Sequence, residues 1–410
     1  MTSETMILSI TGLSNDGRGI ARTPDGRIVF AEGALPGDTV QASIVSSKSD
    51  YREATVLEVL EPSDVREQSV CPFAAQCGGC PLMCMKLDAQ RKFKQESFEN
   101  ALLRVESTAR VLEPVFGSRF GYRSRARFRY SLENGVPRLG FMEGNSNTDV
   151  LITSCPVADR ALNEFISKPP RLNVWELKDR QLSCITTDSG VLYGAGTGFI
   201  TVSAASQKRV LPVSNSVFFQ SNLELLPAMI EEVVYLTEGS DVMDLYSGVG
   251  TFSAFLEDTF NVTAVEMNKN CLSLAKQHLK KTQFFTSAVE KWKGTLRKVD
   301  TVIVDPPRTG LDKTVPALIS SFNPSRIIYV SCFQTTLMRD LERFKALGWK
   351  VEQGRLFDFY PNTPHVETVV LLNNLNSCEK NHISVDIDMD EYHRIKAGKK
   401  ILPMNPLFSM

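Results

Sequence analysis

From about Phe218 onward the chain alternates short apolar runs with stretches of helix-forming residues, and this alternation limits its folding options more than any other feature. Residues 242–245, 262–265, 301–304 and 327–330 are apolar runs, each too short for a buried helix, and segments such as 271–281 between them read as helices. Strands alternating with helices predict a doubly wound parallel sheet covered on both faces. In such sheets ligands bind outside the carboxyl ends of the strands, where the strand order reverses. The strand exits are therefore where chemistry is expected.

The first exit reads Asp244-Leu245-Tyr246-Ser247-Gly248-Val249-Gly250-Thr251 and is expected to open a helix. Gly248 and Gly250 permit a tight turn and close approach of the backbone to a ligand, and the N-terminus of a helix offers free N–H groups. The third glycine of the dinucleotide fingerprint is absent, because Phe252-Ser253 fall there. About twenty residues on, Glu266 ends the second strand, where an acid accepts hydrogen bonds from ribose hydroxyls. Together these features imply a cofactor that contains adenosine. The run 301–304 ends in Asp305-Pro306-Pro307-Arg308-Thr309-Gly310, and the two prolines hold Asp305 at a rigid exit. This D-P-P resembles the active-site motif of S-adenosylmethionine-dependent methyltransferases that act on nucleobases. The alternative is an amino-group methyltransferase, which usually carries an aromatic residue where Arg308 stands.

Val330-Ser331-Cys332 ends the next strand. Buried cysteines are usually inert, but Cys332 leaves the sheet on the same edge as Asp305, which makes it a candidate nucleophile. Tyr360-Pro361-Asn362-Thr363-Pro364-His365-Val366-Glu367 precedes a further apolar strand, and His365 and Glu367 point the same way in extended chain. A thiol and a carboxylate beside a methyl donor suit one reaction. Addition of a thiolate at C6 of uracil makes an enolate whose C5 attacks an activated methyl group. A base then removes the C5 proton and the thiol leaves. Cys332 and Glu367 fill those two roles.

Lys and Arg total 46 against 47 Asp and Glu, so net charge alone excludes a generic polyanion binder and any nucleic-acid contact must come from local patches. In the first sixty residues, short apolar runs alternate with turn sequences such as Asn15-Asp16-Gly17, which suggests a small barrel of the OB type. Arg123, Arg125, Arg127 and Arg129 alternate with mostly apolar residues and predict a strand with four guanidinium groups on one face, suited to phosphates. A helix is expected from about Leu87 to Val105. No apolar run is long enough to span a membrane, and no signal segment opens the chain, so a cytoplasmic location is expected. The nine cysteines then point to metal binding or catalysis in place of disulfides. Cys71, Cys77 and Cys80, with Cys84 beyond, suit either zinc or an iron–sulfur cluster, and spacing does not decide between them. The expected units are 1–62, 63–215, 216–375 and a polar tail, 376–410, without a functional reading.

In combination, D-L-Y-S-G-V-G-T, D-P-P-R-T-G, Ser331-Cys332 followed by Thr336 to Asp340, and P-N-T-P-H-V-E closely resemble the uracil-C5 RNA methyltransferases. The resemblance is to the branch with an N-terminal TRAM domain and an iron–sulfur cluster, and it runs from about Ile7 to Leu372. It implies a multidomain α/β protein: an OB-like TRAM β-barrel, a central mixed domain with a 4Fe–4S cluster, and a Rossmann-like class I methyltransferase domain. It implies Cys332 as nucleophile, Glu367 as base, and S-adenosylmethionine contacts from Gln220, Tyr246, Glu266 and Asp305, to which the glycine loop adds Gly248. The fourth cluster ligand in this branch is a distant Cys before Pro, matched by Cys155-Pro156, so the expected set is Cys71, Cys77, Cys80 and Cys155, with Cys84 in reserve. Two departures stand out: Phe333-Gln334 replaces the usual Asn-Pro, and Ala288 replaces a polar residue that contacts adenine in some members. The implied substrate is structured RNA, 23S ribosomal RNA ahead of transfer RNA, and the implied state is a monomer. The contrasting expectation is a non-catalytic RNA-binding or assembly protein of the same fold, against which the retention of both Cys332 and Glu367 speaks.

Overall fold

The computed structural model describes residues 4–144, 146–173, 177–294 and 299–375, so the tail and Cys378 lie outside the described residues. β1 (Thr5–Ser9), β2 (Gly12–Leu13), β3 (Gly19–Arg22), β4 (Ile28–Glu32), β5 (Thr39–Ser47) and β6 (Tyr51–Glu61) form a sheet in the order β1-β5-β6-β4-β3-β2. Alternate residues face inward, among them Val29, Ala31, Val40, Ala42 and Ala54, and close a small core with Leu8, Ile10 and Ala21. The turn at Gly17 (φ 85°) docks on the far end of the chain: a Cβ there would stand 3.3 Å from Cγ of Pro364.

α1 (Leu87–Val105) matches the expected helix, and β7 (Arg110–Val111) and β8 (Val115–Phe116) follow it. A five-stranded antiparallel sheet comes next, built from β9 (Arg125–Glu133), β10 (Val136–Met142), β11 (Asp149–Ile152), β12 (Gln181–Thr187) and β13 (Gly190–Tyr193) in the order β11-β10-β9-β12-β13. α2 (Arg160–Ser167) packs on its β12–β13 side. The hairpin β14 (Gly198–Ala204) and β15 (Gln207–Val213) then leads into the C-terminal half.

That half contains α3 (Leu226–Leu236), β16 (Asp241–Leu245), α4 (Ser253–Leu256), β17 (Asn261–Glu266), α5 (Lys269–His278), β18 (Gln283–Thr286), β19 (Thr301–Val304), α6 (Val315–Ser321), β20 (Arg326–Ser331), α7 (Gln334–Lys345), β21 (Trp349–Asp358) and β22 (Glu367–Asn374). Its sheet runs β18-β17-β16-β19-β20-β22-β21-β7, with β8 also on β21. Strands β16 to β20 are parallel, as expected, but β22 is antiparallel to both β20 and β21, so the sheet is mixed. The reason is local: β21 and β22 are joined by the short loop 359–366, which returns the chain without a crossover helix.

Two other expectations change. The helix after the glycine loop is a single turn, α4, because residues 247–252 are spent in turns with Gly248 and Gly250 at positive φ. The stretch 63–215 is divided between two layers. The five-stranded sheet has its own core, whereas α1 packs Phe98, Leu102 and Val105 on the large sheet, β7 and β8 cover the edge of β21, and β14–β15 share a core with α3 and α5. An open strand edge seeks pairing and an apolar helix face seeks burial, and the large sheet answers both at β21 and beneath α1.

Candidate active site

β16 is where the strand order reverses, since the chain continues to β17 and β18 on one side and then to β19 on the other. Leu245 pairs with both Val265 and Val304, so the next residues, Tyr246, Glu266 and Asp305, form a row across three strands at the carboxyl edge. Tyr246 stands at φ 61°, a left-handed conformation that costs a non-glycine residue about 1–3 kcal/mol. Glu266 accepts from the Gly248 N–H at 3.0 Å and from the Asn268 N–H at 2.6 Å, which shapes the glycine loop and leaves further lone pairs for a ligand. Gly250 stands at φ 80°, a conformation that strains any residue with a side chain, and a Cβ there would also displace Cδ1 of Leu279, 2.5 Å away.

Several buried acceptors around this row lack partners: Gln220 Oε1, Asp244 Oδ1 and Ser247 Oγ. Buried polar atoms are rarely left unsatisfied, and these suit a ligand that brings amino and hydroxyl donors. The region is also strongly acidic. Burial, and then the charge of Glu266, pushes Asp244 up to about 7, although a hydrogen bond from Ser253 at 2.6 Å opposes the shift. Burial and then Asp244 push Asp305 up to about 7. Such a concentration of carboxyl groups favours a cationic ligand.

The register of β20 and β22 sets the second pair. Ser331 pairs with Thr368, so the next positions outward, Cys332 and Glu367, oppose each other across the two strands. Glu367 is 1% exposed, and burial, followed by Asp305, pushes its carboxyl up to about 8. Burial, then the charges of Glu367 and Asp305, pushes the Cys332 thiol up to about 12, with Arg308 acting in the opposite sense. The helix α7 begins two residues after Cys332, and its N-terminus also favours a thiolate. The Tyr360 hydroxyl donates to Glu367 Oε1 at 3.1 Å, and Glu367 Oε2 is buried without a partner. His365 lines a cleft with Cys332, Phe333 and Asn15 of the N-terminal sheet. Burial, then Arg308 and Lys94, pushes its imidazole down to about 4, so it is neutral at pH 7.

Both loops are anchored. Asp340, fully buried on α7, accepts from the Leu311 N–H at 2.7 Å and the Tyr329 hydroxyl at 2.9 Å and pairs with Arg339 and Arg343. Thr336 Oγ1 donates to the Arg308 carbonyl at 3.0 Å, and Arg339 donates to that of Thr309 at 2.9 Å. Thus α7 clamps the Asp305–Leu311 segment. On the other side Lys94 forms a buried ion pair with Asp358 at 2.5 Å and donates to the Tyr360 carbonyl at 3.0 Å. Asn362, at φ 66°, exchanges hydrogen bonds with Gln90 and Arg119. Sequence reasoning missed Lys94 and quoted Asp340 and Tyr360 only as members of motifs, without a role. Lys94 carried one usable signal, its place in the i, i+4 series Gln90, Lys94, Phe98, Leu102, all buried.

The cysteines expected to hold a cluster are drawn from two segments into one neighbourhood. Burial raises the thiol pKa of Cys71, Cys77 and Cys80, and the charge of Cys155 adds to all three shifts, whereas Cys84 acts on Cys71 alone among them. Asn163 of α2 accepts from the Cys155 N–H at 2.8 Å and donates to its carbonyl at 2.9 Å. Among the described residues no group of three or more His, Cys, Asp or Glu side chains is arranged to hold a metal ion. In the arginine strand the alternation is as expected, with Ala126, Phe128 and Tyr130 buried. The stripe is not uniformly free, however. Arg129 pairs with Asp149 of β11 at 2.8 Å, Arg123 donates to the Arg125 carbonyl at 2.9 Å, and Arg127 is exposed. The sequence window held no acid, but β11, two strands away, supplies one.

Residues 1–57 match the TRAM domain, and residues 290–375 match the family described as tRNA (Uracil-5-)-methyltransferase. An uncharacterized RNA methyltransferase of Treponema denticola is 30% identical, with 85% of this chain and 94% of that one covered. A 23S rRNA (uracil(1939)-C(5))-methyltransferase of Shewanella frigidimarina is 28% identical, over 89% of this chain and 96% of that one. The crystal structure of Pyrococcus abyssi tRNA (uracil-54, C5)-methyltransferase in complex with S-adenosyl-L-homocysteine shares the fold, at TM-score 0.67 and 23% identity over 90% of this chain and 99% of that one. A TRAM β-domain followed by a class I methyltransferase domain defines an S-adenosylmethionine-dependent RNA-modifying enzyme. The chain belongs to the RNA (uracil-5-)-methyltransferase family.

Proposed function

We propose that the protein methylates C5 of a uridine in 23S ribosomal RNA through a covalent adduct between Cys332 and uracil C6, with Glu367 as the base. The observation that carries this reading is the opposition of Cys332 and Glu367 across β20 and β22, beside the row of Tyr246, Glu266 and Asp305. Gln220, Tyr246, Gly248, Glu266 and Asp305 bind the cofactor in this reading, and the unpartnered acceptors Gln220 Oε1 and Ser247 Oγ fit its donors. S-adenosylmethionine supplies an activated methyl group on a sulfonium centre, whose positive charge suits the acidic field of Asp244 and Asp305. The Cys332 proton passes to solvent, a loss that burial, Glu367 and Asp305 oppose and that Arg308 and the α7 N-terminus favour, and the thiolate sulfur adds to C6 to leave an enolate. After C5 has taken the methyl group, Glu367 accepts the C5 proton, the C5–C6 double bond re-forms, and the thiolate leaves. The target base must leave its stack to reach the cleft, which Asn15 of the TRAM unit helps to line. Exposed Arg127 supplies phosphate contacts.

Ribosomal RNA is preferred because relatives covering most of the chain bear that substrate in their names. Transfer RNA is the second reading, favoured by the name of the Pyrococcus protein. A monomer working in the cytoplasm fits an RNA-modifying enzyme in which no helix of the described residues is long and apolar enough to cross a membrane. Cys71, Cys77, Cys80 and Cys155 would hold a 4Fe–4S cluster, with Cys84 in reserve; Cys155 packs with Cys77 against one small core and with Cys71 and Cys80 against another. The cluster would tie the loop of Cys71 to Cys155 as a structural staple.

Tritium release from C5-labelled uridine RNA tests the reaction, and no release from any RNA would favour the non-catalytic binding protein. Mapping 5-methyluridine in a deletion strain tests the substrate: loss confined to transfer RNA would replace ribosomal RNA. Anaerobically purified protein should absorb broadly near ~400 nm from thiolate-to-iron charge transfer, and colourless protein with stoichiometric zinc would refute the cluster.

A further inference from the structure

Tyr360 touches the base, and the mechanism above gives it no task. It follows β21 and opens the loop to β22, where its backbone is fixed by three donors to its carbonyl: Lys94 Nζ at 3.0 Å, Thr363 Oγ1 at 2.8 Å and the Thr363 N–H at 3.2 Å. Its ring packs edge-on against His365, with centroids 6.5 Å apart. The hydroxyl donates to Glu367 Oε1 at 3.1 Å, and the Ser221 side chain, next to Gln220, hydrogen-bonds the same phenol. The two oxygens of Glu367 therefore differ: Oε1 is held by a hydrogen bond, and Oε2 is buried with no partner.

A carboxylate held at one oxygen loses freedom to rotate, and its untied oxygen becomes the better proton acceptor. We propose that Tyr360 is the positioning residue of the base: its hydrogen bond to Oε1 fixes the carboxylate plane, so that Oε2 receives the C5 proton of the methylated adduct. This rests on the reading of Glu367 as base. The proton moves from C5 to Oε2, the C–H electron pair re-forms the C5–C6 bond, and the C6–S bond breaks to return the Cys332 thiolate. The phenol proton does not move. Burial, and then the charge of Glu367, holds the phenol pKa far above its usual value, so the group serves as a donor throughout.

Tyr360→Phe keeps the ring and removes only the hydroxyl. It should slow elimination from the adduct by about 10- to 100-fold, the usual range for a hydrogen bond to a charged group, while cofactor and RNA dissociation constants and the melting temperature stay near wild type. The methylated protein–RNA adduct should then accumulate. A pH profile of elimination adds a readout that a purely structural role would not move. Glu367 is faced by Asp305, Arg308, Cys332 and Tyr360, and among these the Tyr360 hydrogen bond lowers its pKa against burial and Asp305. Without that bond the pH above which elimination reaches its plateau should rise. Elimination at the wild-type rate without adduct, or a loss of binding and melting temperature in step with activity, would overturn the proposal. Glu367→Gln, run in parallel, separates the two failures. If it accumulates methylated adduct and Tyr360→Phe does not, only the role of Tyr360 is wrong. If Glu367→Gln accumulates none, the base itself is misassigned and the role of Tyr360 falls with it.

Discussion

The segments that carry Cys332 and Glu367 meet across one strand pair, yet they are secured from opposite ends of the chain. The nucleophile side is held locally: Asp340, Thr336 and Arg339 of α7 fasten the Asp305–Leu311 segment only some thirty residues away. The base side is held by partners 239 to 280 residues distant. Lys94 grips Tyr360, Gln90 and Arg119 grip Asn362, and the Tyr122 hydroxyl donates to the Pro361 carbonyl at 2.8 Å. Leu82, in the loop that also carries Cys80, donates its N–H to the Asn362 carbonyl at 3.0 Å. The base side thus leans on the N-terminal half more heavily than the nucleophile side, which α1 touches through the hydrogen bond from Ser97 Oγ to Gln334 Oε1 at 3.2 Å.

The sharpest way to break this asymmetry is Lys94→Met. It leaves Asp358 buried and unpaired, and should cost about 3–5 kcal/mol in chemical denaturation, whereas Lys94→Met with Asp358→Leu should recover most of that loss. A double variant no more stable than the single one would mean that the pair does more than satisfy itself. The next effect is in pH. The folded-state pKa of Glu367 is raised from 4.5 to about 8, so the folded protein binds a proton that the unfolded chain releases; its contribution is complete below pH ~4 and is lost as pH rises through about 8. Glu367→Gln should therefore flatten the decline in the melting temperature of cofactor-free protein between pH 5 and 9, and an unchanged slope would assign that decline to other groups. The smallest effect is Asp340→Asn, about 1–2 kcal/mol from weakened charge-assisted bonds on the nucleophile side. Cofactor affinity, measured calorimetrically, should fall while elimination from any adduct proceeds at its normal rate. Slowed elimination would show that the two sides are coupled.

The alternation of strands and helices, the Gly248 turn and the strand exits at Asp305 and Cys332 were legible because each depends on short-range pattern. The opposition of Cys332 and Glu367 was only half legible. Residue types suggested the pair, but the antiparallel return of β22 that brings them together depends on pairing beyond any local window. The same limit hid Asp149, two strands away from Arg129, and Lys94, whose partner lies 264 residues on. The short α4 and the divided stretch 63–215 differed from expectation because glycine turns consumed the helix start in one and the large sheet's edge captured β7 and β8 in the other.

The central claim is tested most directly with Glu367→Gln, RNA containing the target uridine, and S-adenosylmethionine labelled in its methyl group, resolved on a denaturing gel. Addition and methyl transfer precede the step that needs the base, so the label should appear in a protein–RNA species that survives denaturation. The same species should be absent when Cys332→Ala is added. Turnover by Glu367→Gln at near the wild-type rate, with no labelled adduct, would contradict the account and direct the search for the base to His365.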